Sequence, residues 1–565
     1  MKYSNVIALL LALCMVCACA FGCVATSPKQ PEQPQDEQQG NDNAQADNAE
    51  QEKAQVFTMG NIRNEIGQYT IVRPDSQQEL TEISVLLRNI ATEKTGQEPG
   101  ITTDYIIDKD KFDPEAPEIL IGNTTRAESA TAMAQLTDKT PYLITQVGNK
   151  ICIVAKTVKN VIAGVNEFLG VYFNYQTPEF VYHNVRDYGA DGDGMTDDSL
   201  AFKKAIKAAE KDGLPVYVPA GTYLVTETLT LNCVTMYGYE SGSWTADATD
   251  LPTIYHNNLE EPLFDVCSGS LSGVNIHVQG TSANSTDAAE TIKVSGVGSH
   301  LSNIRMHTPW IGINATYNNT GRSVIENIFI IQAWKVGVDI SGTWDVATLQ
   351  NIEVWNNGDT CPTAFRFGKN DALHAVNLFC FNATVGFEFY YDKTNDGGCW
   401  ASFDNCGVDY TSIGISVGDG THHLTFTGGT FWNHHHSLKI NANAAKDTLV
   451  TLSGCEIVAN GASPIDISGG MMTTVTGCNI TRIVEGHSAD PINITGGLGV
   501  TIVGNTICTQ SNAATIGSAF KGGANITGNT IVTSAKAQSD VFNIAAKKAT
   551  VNTANNVVLY EHSYK

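Results

Sequence analysis

The sequence predicts a mainly β protein, a single-stranded parallel β-helix preceded by a small α/β domain. Three observations predict it. First, a short phrase repeats between about residues 272 and 532. Gly454-Cys455-Glu456-Ile457 returns as Gly477-Cys478-Asn479-Ile480, Gly504-Asn505-Thr506-Ile507 and Gly528-Asn529-Thr530-Ile531. Upstream, Asn303-Ile304, Asn327-Ile328, Asn351-Ile352, Asn377-Leu378, Cys406-Gly407-Val408 and Gly429-Thr430-Phe431 fill the same slot. Its apolar member is assigned to positions 276, 304, 328, 352, 378, 408, 431, 457, 480, 507 and 531, a period in the twenties. Second, the intervening runs are short and rich in Val, Ile and Thr, with no amphipathic helix between them, which marks a β-solenoid. The Asn or Gly at one fixed place marks a tight bend that needs a left-handed residue. Third, charged residues make up only 16% of the chain and Gly is abundant, which suits stacked strands rather than helical bundles.

The 565 residues carry a net charge of −24, which argues against nucleic acid as a partner. Residues 1–23 read as a targeting segment: Lys2, then an apolar run from Val6 to Val16 too short to span a membrane, then small residues. Ala20-Phe21-Gly22-Cys23 resembles a bacterial lipobox, with Cys23 as the lipidated residue, although Phe21 is bulky for that motif and Val16-Cys17-Ala18-Cys19 competes with it. The implied location is the bacterial cell surface through a lipid anchor, with no other membrane contact; an unused lipobox would make the protein secreted. Residues 24–55 lack aromatic side chains and are rich in Gln, Asn, Asp, Glu and Pro, which reads as a solvated tether. Of fourteen cysteines, four lie in the signal region, and none of the others forms a metal-like pair. Cys406, Cys455 and Cys478 share the repeat slot as stacked small side chains, and a Cys455–Cys478 disulfide would need the right Cβ geometry.

Residues 56–178 read as the α/β domain. A strand at 68–73, an amphipathic helix at 79–95 closed by Gly96, a buried strand at 118–122, a hairpin turning at Gly148-Asn149 and a helix at 158–172 follow in order. The order, and the phrase Glu118-Ile-Leu-Ile-Gly-Asn-Thr, resemble the small module that precedes the catalytic domain of α-glucuronidases and related glycosidases. That resemblance implies a carbohydrate context and no catalytic residue.

Residues 179–565 read as the β-helix. It opens on Asn184-Val-Arg-Asp-Tyr-Gly-Ala-Asp-Gly-Asp-Gly-Met-Thr-Asp-Asp-Ser199, a helix to Lys211, and Leu214-Pro-Val-Tyr-Val-Pro-Ala-Gly-Thr-Tyr-Leu-Val225. This stretch resembles the start of the pectate lyase superfamily, the rhamnogalacturonase/epimerase-like right-handed parallel β-helices with the pectin lyase fold. Asp191, Asp193, Asp197 and Asp198 read as turn formers and acidic charge at a helix start rather than as a metal site. The helix is expected to cover the open first coil.

The resemblance implies three strands per coil, with the first strand's sheet as the floor of a substrate cleft. Candidates for that strand are apolar-x-apolar phrases, and period two puts x outside. In chain order x is Asn314, Asp339, Arg366, Glu388, Ser416, Lys439, Asp466 and Asn493, preceded by Asp265 and Lys293. Such a column is also what a solvated ladder of alternating charges looks like. A cleft is favoured because Asp339, Arg366 and Glu388 are consecutive, and because Trp310, Trp334, Trp355, Trp432 and the run from His434 to His436 fall in adjoining segments. Aromatic planes beside carboxylates suit sugars, so the expected partner is a polysaccharide.

Asp339 and Glu388, two coils apart, are the candidate carboxyl pair of a glycoside hydrolase, with Asp466 as a further catalytic candidate. Arg366, Lys439, the four tryptophans and His434 are the candidate substrate-binding residues. A polysaccharide lyase or epimerase is the alternative, with Arg366 or Lys439 as base or charge neutraliser. A non-catalytic, adhesin-like glycan binder is a second alternative. No cofactor is expected for a hydrolase, and Ca²⁺ would enter only with a lyase. The polygalacturonase phrases Asn-Thr-Asp and Arg-Ile-Lys are missing, and Gly486-His487-Ser488 is a fragment of a third.

Overall fold

A computed structural model describes residues 62–106, 112–137, 140–175, 182–238, 252–317, 319–482, 489–534 and 537–560. The targeting segment with Cys23, the tether and Gly486-His487-Ser488 lie outside the described residues.

The N-terminal domain is built on a five-stranded sheet in the order β2-β1-β3-β5-β4. Its strands are β1 (Thr70–Arg73), β2 (Gly100–Thr103), β3 (Glu118–Ile121), β4 (Leu143–Val147) and β5 (Lys150–Val154). Only β4 runs antiparallel, through the Gly148 hairpin. The long helices are α1 (Thr81–Thr95) and α2 (Val158–Phe173), which bury Leu87, Ile90, Val165 and Phe168 against Ile71, Ile119 and Ile151. Gly96 closes α1 in the left-handed conformation. The edge strand β2 is not legible as an alternation, because its Gly-Ile-Thr-Thr is too short and too exposed to show one.

From His183 to Tyr560 the chain forms one continuous parallel ladder of 36 strands. Each coil rests on the next in parallel register, so apolar side chains stack into inward columns. The middle of the core is aromatic: Phe365 stacks on Phe387 at 5.2 Å, Phe367 on Phe389 at 5.3 Å, and Phe403 on Phe426 at 4.4 Å. Helix α3 (Ser199–Asp212) covers the first coil with Phe202, Ala205 and Ile206 packed into the same core. The acidic opening is a turn: Asp198 accepts from the N–H groups of Asp191 and Gly192, and Asp193 from those of Met195 and Thr196.

The bend differs from the expected slot in one respect. Asn303, Asn327, Asn351, Asn377 and Asn405 all adopt φ of 52–55°, and each amide from Asn327 onward donates to the Oδ1 of the previous coil's asparagine. From Gly428 to Gly528 glycine takes the left-handed position, and Asn555 takes it in the last coil. Ile304, Ile328, Ile352 and Leu378 follow the bend directly. Ile276, however, pairs with Met306, and Val408 with Cys380. Position 276 and positions from 408 onward therefore belong to the next inward column, two residues later. The column after the bend is filled instead by Cys406, Cys455, Cys478, Asn505 and Asn529. Asn505 and Asn529 turn their Oδ1 to the N–H of Cys478 and Asn505 in the preceding coil. All ten cysteines in the described residues are free thiols, Cys455 and Cys478 included.

Candidate functional site

The column proposed from the sequence exists strand by strand. Asp265, Lys293, Asn314, Asp339, Arg366, Glu388, Ser416, Lys439, Asp466 and Asn493 are successive Cα partners. Inward neighbours on both sides of each x are what hold it outward; around Asp339 they are Val338 and Ile340.

The middle of this column is a cluster. Asp339 is 5% exposed. Its Oδ2 lies 3.4 Å from Nε of Arg366, an ion pair whose angle leaves that Nε, itself buried, without a hydrogen bond. The hydroxyl of Tyr390 donates to Oδ1 of Asp339 at 3.3 Å, and the Arg366 guanidinium lies 4.4 Å from the centre of the Tyr390 ring. Burial pushes the Asp339 carboxyl up to about 6, against the pull of Arg366 and Tyr390 and with help from Glu388 and Asp392. Glu388 is half-buried on the far side of Arg366 and accepts from the hydroxyl of Thr363 at 3.3 Å. From the strand spacing, Asp339 and Glu388 are about 9.7 Å apart at backbone level.

A loop at residues 390–398 walls the cluster. Asp392 accepts from the hydroxyl of Ser341, from the side chain of Asn395 at 2.7 Å and from the Thr394 N–H at 2.8 Å. Burial opposes its ionisation, but these bonds outweigh it and hold Asp392 below the usual carboxylate range. Asn395 also donates to the carbonyl of Thr316, three coils back. The loop thus folds toward the N-terminal end of the helix over the ends of the strands that carry Asn314 and Asp339. Tyr390, Ser341 and Asn395 were not singled out by sequence. The apolar-x-apolar test scores only x, and a loop reaching back three coils leaves no periodic trace.

Several expected members stand elsewhere. Asp466 is three strands beyond Glu388, about 14 Å along the column, and is held by the Asn493 amide at 2.8 Å. It cannot reach the same glycosidic bond as Asp339. Lys439 is one strand nearer and makes no ion pair with Asp466 or any other described residue. Trp310 is buried beneath Lys335, and its indole N–H finds no acceptor. Trp334 sits one coil on in the same turn, half-buried, its N–H equally unpaired. Trp355 lies on the neighbouring sheet, its face taken by Phe381 at 4.5 Å in a stack that continues to Tyr410. Trp310 is closed off by burial under Lys335 and Trp355 by its stack on Phe381, so neither offers an open face to a sugar. Trp432 is 48% exposed on that neighbouring sheet, and His434 packs edge-on against Tyr410 there. In the turns that leave these strands, Asp345 is bound to Arg322 and Asp371 to Lys369, so neither carboxylate is free to pair with Asp339. No group of three or more potential metal ligands occurs among the described residues.

Residues 182–253 match the family model for rhamnogalacturonase A/epimerase, pectate lyase-like proteins. A glucan 1,3-β-glucosidase of Cochliobolus carbonum is 43% identical over 68 residues, 10% of this chain and 9% of that protein. Alginate lyase 7 of Azotobacter vinelandii is 53% identical over 45 residues, 8% of this chain and 5% of that protein. The chain thus spans under a tenth of the length of these curated relatives. Among solved structures, the A-module of the A. vinelandii mannuronan C-5 epimerase AlgE6 aligns with a TM-score of 0.46 and 16% identity, covering 67% of this chain and 99% of that one. The Streptococcus pneumoniae surface adhesin PfbA aligns at 0.41 and 16%, covering 66% and 93%. The match at residues 182–253 opens a parallel ladder that runs to Tyr560, and over that opening the chain is similar to the pectate lyase-like proteins, whose family model it matches there.

Proposed function

We propose that the protein is a glycoside hydrolase acting on an acidic or branched polysaccharide laid along the Asp339 column. The observation that carries this is the Asp339–Arg366–Glu388 cluster. It holds one buried carboxyl, still protonated up to about pH 6, two coils from a second carboxyl with a guanidinium between them. Asp339 serves as general acid to the leaving oxygen, and Glu388 as the base that activates water on the opposite face of the sugar ring. Inverting hydrolysis needs carboxyls about 6.5–9.5 Å apart, and side chains leaning together from 9.7 Å meet that need. Arg366 and Lys439 supply the positive charge that an acidic chain requires. Of the relatives, the glucan 1,3-β-glucosidase supports hydrolysis by its name alone.

A second reading rests on Tyr390. Its hydroxyl, pushed up by burial and by Asp339, stays protonated and could donate a proton in a lyase or epimerase whose substrate carboxylate binds Arg366. A panel of polysaccharides read for reducing ends and for ultraviolet absorbance separates the two. Hydrolysis releases reducing ends without absorbance, and Glu388→Gln lowers it about 10²–10⁴-fold while glycan binding persists. An unsaturated product overturns hydrolysis in favour of elimination. Silence in both assays with retained binding overturns hydrolysis and elimination; solvent deuterium incorporated into the glycan then marks an epimerase, and no incorporation leaves a glycan-binding β-helix.

Surface anchoring through Cys23 is part of the same proposal. Metabolic labelling with a fatty acid should mark the wild type and not Cys23→Ala; equal labelling of the two refutes it.

A further inference from the structure

The Asp339 column carries a cation at equal distances on either side of its central cluster. Lys293 stands two strands before Asp339, and Lys439 two strands after Glu388. Their surroundings differ. Lys293 pairs with Asp265 at 2.9 Å and lies 4.8 Å from the centre of the Tyr317 ring, whose hydroxyl donates to Glu290. Ser295 donates to the other oxygen of Asp265. Asn314, between Lys293 and Asp339, accepts from the N–H of Thr316, and Asn395 of the loop at 390–398 donates to the Thr316 carbonyl. The charged groups on this side are therefore satisfied by the protein itself. On the other side Ser416 and Lys439 are both half-buried, and neither bonds to another described residue. Asp466, the carboxylate next to Lys439 on the column, is held by the Asn493 amide instead.

We propose that a glycan bound at the cluster makes its further contacts toward the C-terminal coils, and that Lys439 there binds the carboxylate of an acidic sugar. This rests on the reading of the Asp339 column as a glycan-binding cleft, and it adds a direction and a place for the acid group. A half-buried ammonium without a counterion gains a charge-assisted hydrogen bond from an incoming carboxylate. Lys293 would have to give up Asp265 to make the same bond, so its exchange gains little. The small side chain of Ser416 leaves room for a sugar ring between Glu388 and Lys439, and its hydroxyl can bond one of the ring's own. Two strand steps put Lys439 about 9.6 Å from Glu388 at backbone level. That is longer than one pyranose ring, so the acid group belongs to a sugar beyond the one being cleaved.

The test is equilibrium binding of the full chain, at neutral pH, to pectate, alginate, glucuronoxylan and hyaluronan, each beside its carboxyl-reduced form. The wild type should bind at least one of the acidic polymers, and about tenfold more weakly once its carboxyl groups are reduced. Lys439→Met should show about the same tenfold loss on the acidic form and no further loss on the reduced one, and Lys439→Arg should restore most of the binding. Lys293→Met removes the same charge at the same distance on the other side and should stay within about twofold of the wild type. Melting temperatures keep a folding defect from imitating the effect, and Lys207→Met, exposed on α3, is the charge-matched control if Lys293→Met melts lower. A wild type that binds native and reduced polymers equally overturns the inference while leaving a cleft for neutral glycans. A Lys439→Met variant that binds like the wild type overturns the place of the acid group. Equal losses in Lys439→Met and the control mean that net charge alone acts, and overturn it too. A wild type that binds none of the polymers overturns the inference together with the glycan reading.

Discussion

The hydroxyl of Tyr390 donates to Oδ1 of Asp339 across two coils of the β-helix, at 3.3 Å. The two residues are 51 positions apart, and the strand carrying Arg366 runs between theirs. Arg366 is thereby pinned with its charge against the Tyr390 ring on one side and the Asp339 carboxylate on the other. Each of the three side chains depends on the other two for its orientation.

That dependence makes stability a function of Asp339's proton. Burial raises the folded-state pKa from the ordinary 3.8 to about 6. The folded state therefore holds a proton in a window where the unfolded chain has lost it. Stability falls as pH rises from about 4 to about 6, and by neutral pH the ionised Asp339 costs about 3 kcal/mol. Asp339→Asn cannot ionise. In thermal melts its midpoint should gain on the wild type steadily across pH 4–6 and then hold that gain. A pH-independent difference would falsify the assignment.

Tyr390 and Arg366 both pull the Asp339 pKa down, Arg366 the more strongly. If Asp339 is the general acid, Tyr390→Phe should move the alkaline limb of the kcat/KM profile to higher pH by a few tenths of a unit, and Arg366→Met should move it further. Reversal of that order, or no movement in either variant, would remove Asp339 from the acid role.

The bend offers a contrast between two small substitutions. Asn351 has φ of 53°, accepts from Asn377 and donates to Asn327 at 3.0 Å each. Asn351→Gly loses only the ladder bonds, about 0.5–1.5 kcal/mol apiece. Asn351→Ala also forces a Cβ into the left-handed region, at about 1–2 kcal/mol more. Denaturant midpoints should therefore rank wild type, then Gly, then Ala; an Ala variant as stable as Gly would show that the bend relaxes.

Phe387 has aromatic neighbours on all sides: Phe365 at 5.2 Å, Phe426 at 5.8 Å and Phe403 at 5.9 Å. Phe387→Ala should cost about 3–5 kcal/mol. Since Phe387 and Glu388 are adjacent on one strand, the loss should also loosen the cluster, read as reduced protection of the Arg366 and Glu388 amides in hydrogen exchange. A small cost with unchanged protection would mean that the aromatic core closes over the gap.

The sequence by itself determined the coil, the left-handed bend and the side on which each residue of the Asp339 column stands. The slot was misjudged at two places, where Ile276 and Val408 were aligned with residues of the neighbouring inward column. The outward column survived because those slips were of two residues, and strand side chains alternate with period two; a slip of one would have turned every member inward. Only the tertiary structure decided which members of that column form a site. Asp265 and Lys293 close into an ordinary ion pair at 2.9 Å, and Lys439 and Asp466 do not pair. Asp339 is buried into a raised pKa, because Tyr390 and the loop around Asp392 reach back across coils to cover it. The same is true of the aromatics: residue type marked Trp355 for sugar, while its stack on Phe381 turned the ring into packing. Period and alternation are properties of one strand and its neighbours and are legible locally. Coverage by a distant loop, and the use of a ring's face, depend on contacts between coils that leave no mark on the chain's own spacing.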